Sequence, residues 1–520
     1  KIRLFRDDDM KITGKRHRFL SKYEVGFDEE GNLLAAKFEL NADGGCATDL
    51  SFAILQRAML HVDNAYYIPH CSVLGKVYRT NLPSNTAFRG FGGPQGMAVM
   101  ETVIDRVARF LKRGAADIRY RNFYGLARRN TTHYGEVVEN NRLFLIHDQL
   151  MKSSEYEKRR NEVDRFNLEN EFYKKGLAIT PVKFGISFTT SFLNQAGALV
   201  NVYTDGTVIV NHGGTEMGQG LHTKIQQIAA AELGVSLDRV KVNPTDTSKV
   251  PNTSATAASA GTDLNGMAVK NAIDTLKARI AEAVATIFTE KHSGAPRPPE
   301  RLCRAGLPDA VHEGGQASLQ HSIRFENDTI FDADHLERRI AFAEAMPLMQ
   351  LRQVSLSATG FYKTPNIGWN KEKGFGKPFH YYAFGMCVSE VLVDVLTGHH
   401  TLLRTDILHD VGDSINPGID LGQVEGGYIQ GVGWCTTEEI KWDEKGNLLT
   451  HSPDTYKIPT VQDIPKDFRT ALLQGAPNPN TIRRSKAVAE PPFMLALSTW
   501  LAIKDAVSAV ANHEIEPEYS

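Results

Sequence analysis

A single carboxylate near the end of the chain has the sequence setting of a general base. Glu490 follows the small apolar run Ala487-Val488-Ala489 and directly precedes two prolines. A residue before proline is biased away from the α region, so we expect extended backbone at Glu490. The prolines suit the first turn of a helix, whose apolar stripe would be formed by Trp500, Ile503, Val507 and Val510. Glu490 is therefore predicted on a rigid strand-to-helix corner, as a general base or, alternatively, as a helix-capping residue.

Three glycine-rich segments that precede predicted helices could hold an anion through their backbone N–H groups. Ser84–Gln95 places three glycines around Phe91 and then Pro94, which should open a helix over Gln95–Leu111. It is not a dinucleotide fingerprint, because position 95 is a glutamine rather than the third glycine. A tight structural turn is the alternative. The other two segments, Gly213–Gly220 and Gly422–Gly427, also carry a glutamine.

The elements that must position these loops follow from short-range patterns. Ala198–His212 and the stretch after Val388 both read as hairpins that lead into a glycine/glutamine loop and a helix, which suggests two similar half-sites facing one ligand. Apolar spacing predicts helices over Phe52–His61 and Gly266–Phe288. Tyr23–Leu40 reads as a third hairpin.

Other segments have simpler interpretations. Arg57 lies among apolar residues of a predicted helix, where an arginine is typically solvated or ion-paired, and Phe184 and Phe188 are expected in the core. The charged run Ser153–Lys175 predicts a solvated helix face. Glu290–Phe325 is rich in Pro, Gly and Arg, and predicts a linker or loosely ordered insertion.

Composition limits the classes of function. The 520 residues, 42% hydrophobic and 23% charged, suit two to four domains at roughly 150 residues each. A net charge of -2 argues against nucleic acid as a partner. No apolar run approaches the ~20 residues that span a bilayer. Five scattered cysteines indicate a reducing, cytoplasmic compartment and no metal site formed by direct side-chain ligation.

Six motifs in chain order resemble those of the molybdenum-binding portion of the xanthine dehydrogenase/oxidase family. They are Ser84–Gln95, Lys183–Thr189, Gly213–His222, Thr256–Thr262, Gly422–Gly427 and Ser485–Pro492. The resemblance implies an α+β fold with two elongated molybdenum-cofactor-binding domains, each of mixed sheets with packed helices, and the cofactor at their interface. Residues 1–185 would be part of the first domain and residues 186–520 the second, with 290–345 an irregular insertion.

The resemblance also implies roles for single residues in hydroxylating a purine. Glu490 matches the base that takes the proton of the metal-bound hydroxyl as its oxygen attacks the electron-poor imidazole carbon. Arg57 matches the arginine that hydrogen-bonds a purine oxygen and stabilises negative charge on the ring. Phe91 and Phe188 match the aromatic residues that hold the flat heterocycle, and Ala258 lies beside it.

For the cofactor, the resemblance implies that molybdenum is held through molybdopterin, as such or as a dinucleotide. Gln219 and Gln423 match amides that grip the pterin, and Arg89 with Gly90 would lie close to the metal. Four further residues are predicted to contact the cofactor: Gly218, Thr256, Ser259 and Lys486.

The resemblance extends to substrate and partners. Arg57 favours xanthine or hypoxanthine over an aldehyde, since the related aldehyde oxidases usually carry an apolar residue there; an aldehyde oxidase and an inert structural fragment are the alternatives. The family also has a glutamine-bearing loop and a second substrate-binding glutamate ahead of the point where this chain starts. A complete site therefore needs that N-terminal part or another polypeptide, and electrons would pass to 2Fe-2S and FAD on partner domains or chains. An oligomer without nucleic acid or membrane contacts is expected.

Overall fold

The computed structural model describes residues 3–250, 252–292 and 322–517. In chain order its elements are α1 (Arg6–Ile12), β1 (Phe19–Phe27), β2 (Leu33–Gly45), α2 (Ser51–His61), β3 (His70–Arg79), α3 (Gly93–Leu111), α4 (Ala115–Asn122), α5 (Leu143–Ser153), α6 (Tyr156–Glu169), β4 (Tyr173–Ile186), β5 (Gln195–Val202), β6 (Val208–His212), α7 (Leu221–Leu233), β7 (Val240–Val242), α8 (Gly261–His292), β8 (Ile323–Glu326), β9 (Thr329–Asp332), β10 (His335–Ala341), α9 (Phe342–Leu351), β11 (Ser357–Lys363), β12 (Gly368–Asn370), β13 (Phe375–Lys377), β14 (Tyr381–Asp394), β15 (His400–His409), α10 (Pro417–Cys435), β16 (Asp467–Leu472) and α11 (Leu497–Ala509). A short 3₁₀ helix over Pro491–Ala496 leads directly into α11.

The first compact unit comprises Lys1–Ser191, Pro365–Pro479 and Arg484–Ser520. It contains the sheet β1-β2-β3 and the sheet β16-β15-β14-β4. Most neighbouring strands run antiparallel, but β2 with β3 and β15 with β16 are parallel. The long strands β4 and β14 are almost wholly buried and pair antiparallel along their full length, so they form the middle of this unit.

The second unit comprises Phe192–Thr364 and Asn480–Arg483. Its sheet has the order β11-β5-β6-β7, and α8 packs against it. Helix α8 and strand β11 approach each other closely because β11 carries Gly360, where an added Cβ would lie 2.0 Å from the carbonyl oxygen of Ala268. Antiparallel strands β10, β9 and β8 form a small separate sheet.

Local patterns predicted three hairpins and four helices correctly. The predicted hairpins correspond to β1–β2, β5–β6 and β14–β15. The predicted helices correspond to α2, α3, α7 and α8, and α7 ends at Gly234 with φ 68°. The α+β fold class is therefore confirmed.

Around Glu490 the structure differs from the expectation. The residue is in the αR region (φ −94°, ψ −42°) rather than extended, because its carbonyl accepts the N–H of Phe493 and closes the first 3₁₀ turn. The stripe Trp500, Ile503, Val507 and Val510 is also not the buried face of α11. The buried face instead includes Leu501, Ala502 and Ala506. It lies close to Gly176 of β4, where a Cβ would be 1.8 Å from the carbonyl oxygen of Ala502.

Three further expectations need correction. Gly422–Gly427 lies inside α10 rather than in a loop, because Asn416 caps the helix earlier by accepting the N–H of Ile419. Of the predicted irregular insertion, residues 293–321 lie outside the described residues, while 323–345 forms β8, β9, β10 and the start of α9. Arg159 in the charged run is buried and binds the carboxylates of Glu390 and Asp406.

Across the described ranges we find no helix that is both long and apolar enough to cross a membrane.

Candidate functional site

In the first unit, the carboxylate of Glu490 is held by the backbone of a glycine-rich loop. Its Oε1 accepts the N–H of Gly90 at 3.0 Å. Gly90, Phe91 and Gly92 all have left-handed backbone, with φ of 93°, 49° and 97°. Glycine adopts this conformation freely, but at Phe91 it costs on the order of 1 kcal/mol or more, a form of strain that clusters at functional sites.

The same loop lies directly on α2. A Cβ at Gly92 would be 2.1 Å from the carbonyl oxygen of Ile54, so the loop and the helix touch backbone to backbone. Helix α3 then begins at Gly93 with Pro94 in its first turn, as predicted. The loop therefore places Phe91, which is half-buried, beside the helix that carries Arg57.

Arg57 is buried rather than solvated, with a relative exposure of 2%. Its Nη1 donates to the carbonyl oxygen of Gly185 at 2.9 Å, and its Nη2 donates to that of Ser187. The guanidinium also lies over the rings of Phe184 and Phe379, at 5.2 and 5.3 Å from their centroids. Burial lowers the pKa of Arg57, and the nearby carboxylate of Glu490 opposes that effect.

These contacts connect four predicted residues of the first unit. Arg57 fixes Ser187, the residue before the half-buried Phe188, while Gly92 joins the loop of Phe91 to α2. The loop in turn holds Glu490. Phe184 is core, as expected.

Arg89 connects this loop to two other segments. Its Nε donates to the carbonyl oxygen of Ala489 at 2.5 Å, immediately before Glu490. Its Nη1 donates to Oε1 of Gln430 at 3.0 Å, and its Nη2 to the carbonyl oxygen of Gln423 at 3.4 Å. Burial lowers the pKa of Arg89. The arginine therefore connects the Gly90 loop to the backbone of α10 at Gln423.

Two residues of this site were not identified from sequence. Gln430 lies seven residues after Gln423 on α10, and this spacing on one helix face is a signal that could have indicated it. Arg16 donates through Nη2 to the carbonyl oxygen of Arg89 at 2.9 Å, across a separation of 73 residues. No local pattern around Arg16 predicts that contact.

Lys486 forms a buried ion pair. Its Nζ lies 2.6 Å from Oδ2 of Asp410, and the two side chains are 2% and 0% exposed. The ammonium also lies 5.1 Å from the ring centroid of Phe384. Its predicted cofactor contact remains a prediction, and the structure assigns it a partner within its own unit.

In the second unit, the predicted cofactor residues lie at two helix N-termini. The Gly213–Gly220 loop precedes α7, and its Thr215 N–H donates to Oγ1 of Thr256 at 2.8 Å, in the segment before α8. The Gln219 amide closes the loop: its Oε1 accepts the N–H of Met217 at 2.6 Å, and its Nε2 donates to the carbonyl oxygen of Thr215 at 2.8 Å.

Backbone conformation at these two helix starts is unusual. Gly218 has φ 97°, and an added Cβ would meet nothing within 4 Å. Ala258 and Ser259 are both left-handed, with φ of 54° and 57°, directly before α8. A helix N-terminus favours a bound anion, so the start of α8 fits the anionic part of a large cofactor. One of the N-termini already binds a carboxylate, since Glu216 accepts the N–H groups of Gly218, Gly220 and His222.

Comparisons with known proteins identify the family of this chain. Residues 1–123 match a molybdopterin cofactor-binding domain, and residues 149–297 and 309–465 match a second molybdopterin cofactor-binding domain. The chain is 46% identical over 511 residues to xanthine dehydrogenase/oxidase of Mus musculus and 45% identical over 506 residues to that of Felis catus. These matches cover 98% and 97% of this chain but 34% of each relative, so the chain spans about a third of their length.

A solved structure shows the same fold. Quinoline 2-oxidoreductase from Pseudomonas putida 86 superposes with a TM-score of 0.82 over 97% of this chain and 61% of that chain. The sequence identity of 22% means that this likeness concerns the fold alone.

The chain belongs to the molybdopterin cofactor-binding domain family. This confirms the family resemblance and the predicted molybdenum–molybdopterin cofactor. The domain boundary at 185/186 and the roles of the individual site residues remain predictions.

Proposed function

We propose that this chain is the molybdenum-cofactor-binding part of a hydroxylase that oxidises xanthine or hypoxanthine towards urate. The observation that carries the proposal is the hydrogen bond from Gly90 N–H to Glu490, in a loop that lies on the helix of Arg57. Likeness to two xanthine dehydrogenase/oxidases over nearly the whole chain supports the purine as substrate.

When bound, the molybdenum cofactor supplies the oxygen that is transferred and accepts two electrons. Glu490 is the proton acceptor of this step. The hydrogen bond from the Gly90 N–H to Oε1 fixes the orientation of the carboxylate that accepts the proton. Because the loop and the 3₁₀ helix hold the carboxylate from both sides, it needs little reorganisation during the reaction.

Arg57 and the two phenylalanines bind the substrate in this proposal. Two of the five N–H donors of Arg57 are taken by Gly185 and Ser187, so the others can serve a purine oxygen. Since those partners are neutral carbonyls, the positive charge is available to stabilise negative charge on the ring. Phe91 and Phe188 then hold the faces and edges of the heterocycle.

Glu490→Gln tests the proposal. A glutamine still accepts the Gly90 N–H but cannot take the proton, so loop geometry is kept while the base is lost. We expect kcat for urate formation to fall about 100-fold or more, with the molybdenum content of the holoenzyme unchanged. Glu444→Gln, at an exposed glutamate, is the matched control. Unchanged turnover in the Glu490 variant would remove this residue from the mechanism.

Arg57→Met separates a purine hydroxylase from an aldehyde oxidase. The proposal predicts loss of xanthine turnover with turnover of an aromatic aldehyde retained. Since the substitution also frees the carbonyls of Gly185 and Ser187, Arg57→Lys, which keeps a donor and the charge, controls for local disorder. Faster wild-type turnover of the aldehyde than of xanthine would favour the aldehyde oxidase.

The partners belong to the same proposal. Electrons pass from the molybdenum site to 2Fe-2S and FAD on other domains or chains, in a cytoplasmic oligomer whose N-terminal part completes the pocket. Metal analysis, visible absorbance and mass spectrometry of the purified holoenzyme test this directly. A preparation that contains molybdenum and oxidises xanthine without iron or flavin would contradict the electron route.

A further inference from the structure

We propose that Arg16 is a positioning residue that holds Glu490 in place by binding both of the segments that form the Gly90–Glu490 hydrogen bond. This inference rests on the proposed role of Glu490 as the base.

The contacts of Arg16 reach both sides of that bond. Its Nη2 donates to the carbonyl oxygen of Arg89 at 2.9 Å, one residue before Gly90, and its guanidinium carbon lies 4.5 Å from the ring centroid of Phe88. On the other side it lies 4.6 Å from the ring centroid of Phe493, three residues after Glu490 in the 3₁₀ helix. One planar cation is therefore packed between the loop and the segment that carries the carboxylate.

A third aromatic residue supports this arrangement from α10. Trp434 lies 5.6 Å from the Arg16 guanidinium, and its ring lies 5.5 Å from that of Phe493. Phe493 is buried whereas Phe88 is exposed, and cation–π attraction is stronger over the ring that is shielded from water. Burial lowers the pKa of Arg16, opposed chiefly by Glu438, and a guanidinium remains protonated at neutral pH. The charge of Arg16 also attracts the Glu490 carboxylate, so a readout of position is needed beside the rate to show that its contacts with Phe88, Arg89 and Phe493 hold the two segments.

The chain offers a matched control two residues away. Arg18 has the same charge and lies in the same segment, but it is exposed and donates to the carbonyl oxygen of Ile440 at 2.5 Å. Arg16→Met and Arg18→Met therefore remove the same charge from the same segment, and only the first removes the contacts to Phe88, Arg89 and Phe493.

Hydrogen exchange on the holoenzyme measures the positioning directly, through the peptide that contains the Gly90 N–H. We expect Arg16→Met to speed exchange at Gly90 by about 10-fold or more while Arg18→Met leaves it unchanged. The same variant should lower kcat by about 10-fold or more, with KM for xanthine and molybdenum content within twofold of wild type. A misplaced catalytic group slows the chemical step but leaves the contacts that bind the substrate in place. Arg16→Lys keeps the charge and a donor but not the flat guanidinium, and should give intermediate exchange.

Unchanged exchange at Gly90 in Arg16→Met would overturn the inference. Faster exchange spread evenly over the first unit would also overturn it, because Arg16 would then be a general structural residue. Where Arg16→Met does not fold, Arg16→Lys with wild-type exchange gives the same negative result. If the wild-type holoenzyme contains molybdenum but does not oxidise purines, the proposed function fails, and the exchange data still decide whether Arg16 holds the loop against Glu490.

Discussion

Gly92→Ala perturbs the contact that holds the Phe91 loop on α2, and the structure gives the size of the effect. Alanine at φ 97° carries a backbone cost of about 1 kcal/mol. Its Cβ would also lie 2.1 Å from the carbonyl oxygen of Ile54, where an ordinary contact is 3.4 Å or more. Backbone atoms on both sides mean that no side chain can simply turn away, so the loop and the helix must separate by about 1 Å.

Such a displacement moves Phe91 relative to Arg57, and it also pulls on the N–H of Gly90 that binds Glu490. A shift of about 1 Å in a catalytic group costs roughly 100-fold in rate. We therefore expect kcat/KM for xanthine to fall roughly 100-fold. The decrease in Tm should be larger than the left-handed backbone of alanine would cause by itself.

Gly398→Ala is the matched control. Gly398 has φ 73° in the turn between β14 and β15, and an added Cβ meets nothing within 4 Å. It carries the same backbone cost without the clash, so activity should be unchanged and the loss of Tm small. The assays are steady-state urate formation and thermal unfolding of the two variants beside wild type. Equal Tm and equal kcat/KM in both variants would refute the reasoning.

Two further predictions concern buried charges in the first unit. Lys486→Met leaves the carboxylate of Asp410 buried without its partner at 2.6 Å, and should lower the free energy of unfolding by about 3–5 kcal/mol in urea titrations. The double variant Lys486→Met/Asp410→Asn should recover most of that loss. Equal stability of the single and the double variant would contradict this prediction. Burial raises the pKa of Glu136 from 4.5 to about 8, against the charges of Lys183 and Lys377, so the folded protein keeps a proton that the unfolded chain has released. Stability should therefore fall as the pH rises from about 5 to about 8, and Tm between pH 5 and pH 9 should show this fall in wild type but a smaller one in Glu136→Gln.

The sequence was most informative where structure depends on near neighbours. Alternating apolar residues and turn glycines predicted the hairpins β1–β2, β5–β6 and β14–β15, and Pro94 marked the start of α3. Motif order then led to the correct family and cofactor. The hairpins and the helix start could be predicted because turn residues and side-chain periodicity are local properties that tertiary contacts seldom change.

Expectations failed where another contact outweighed the preference read from the sequence. Proline predicted extended backbone at Glu490, but the N–H of Phe493, three residues on, closes a turn on its carbonyl and places it in the αR region. On α11 the large apolar stripe suggested the buried face, yet the buried face includes Leu501, Ala502 and Ala506, and Gly176 of β4 allows the backbones to approach closely at Ala502.

By itself, the sequence determined which groups could do the chemistry: one carboxylate before two prolines, and glycine loops whose conformations few other residues allow. Only the tertiary structure decided how those groups are held, with Arg57 buried against backbone carbonyls and Arg16 packed between Phe88 and Phe493. The physical reason is that these partners lie far apart along the chain, and a contact between distant residues leaves no periodic trace in the spacing of either segment.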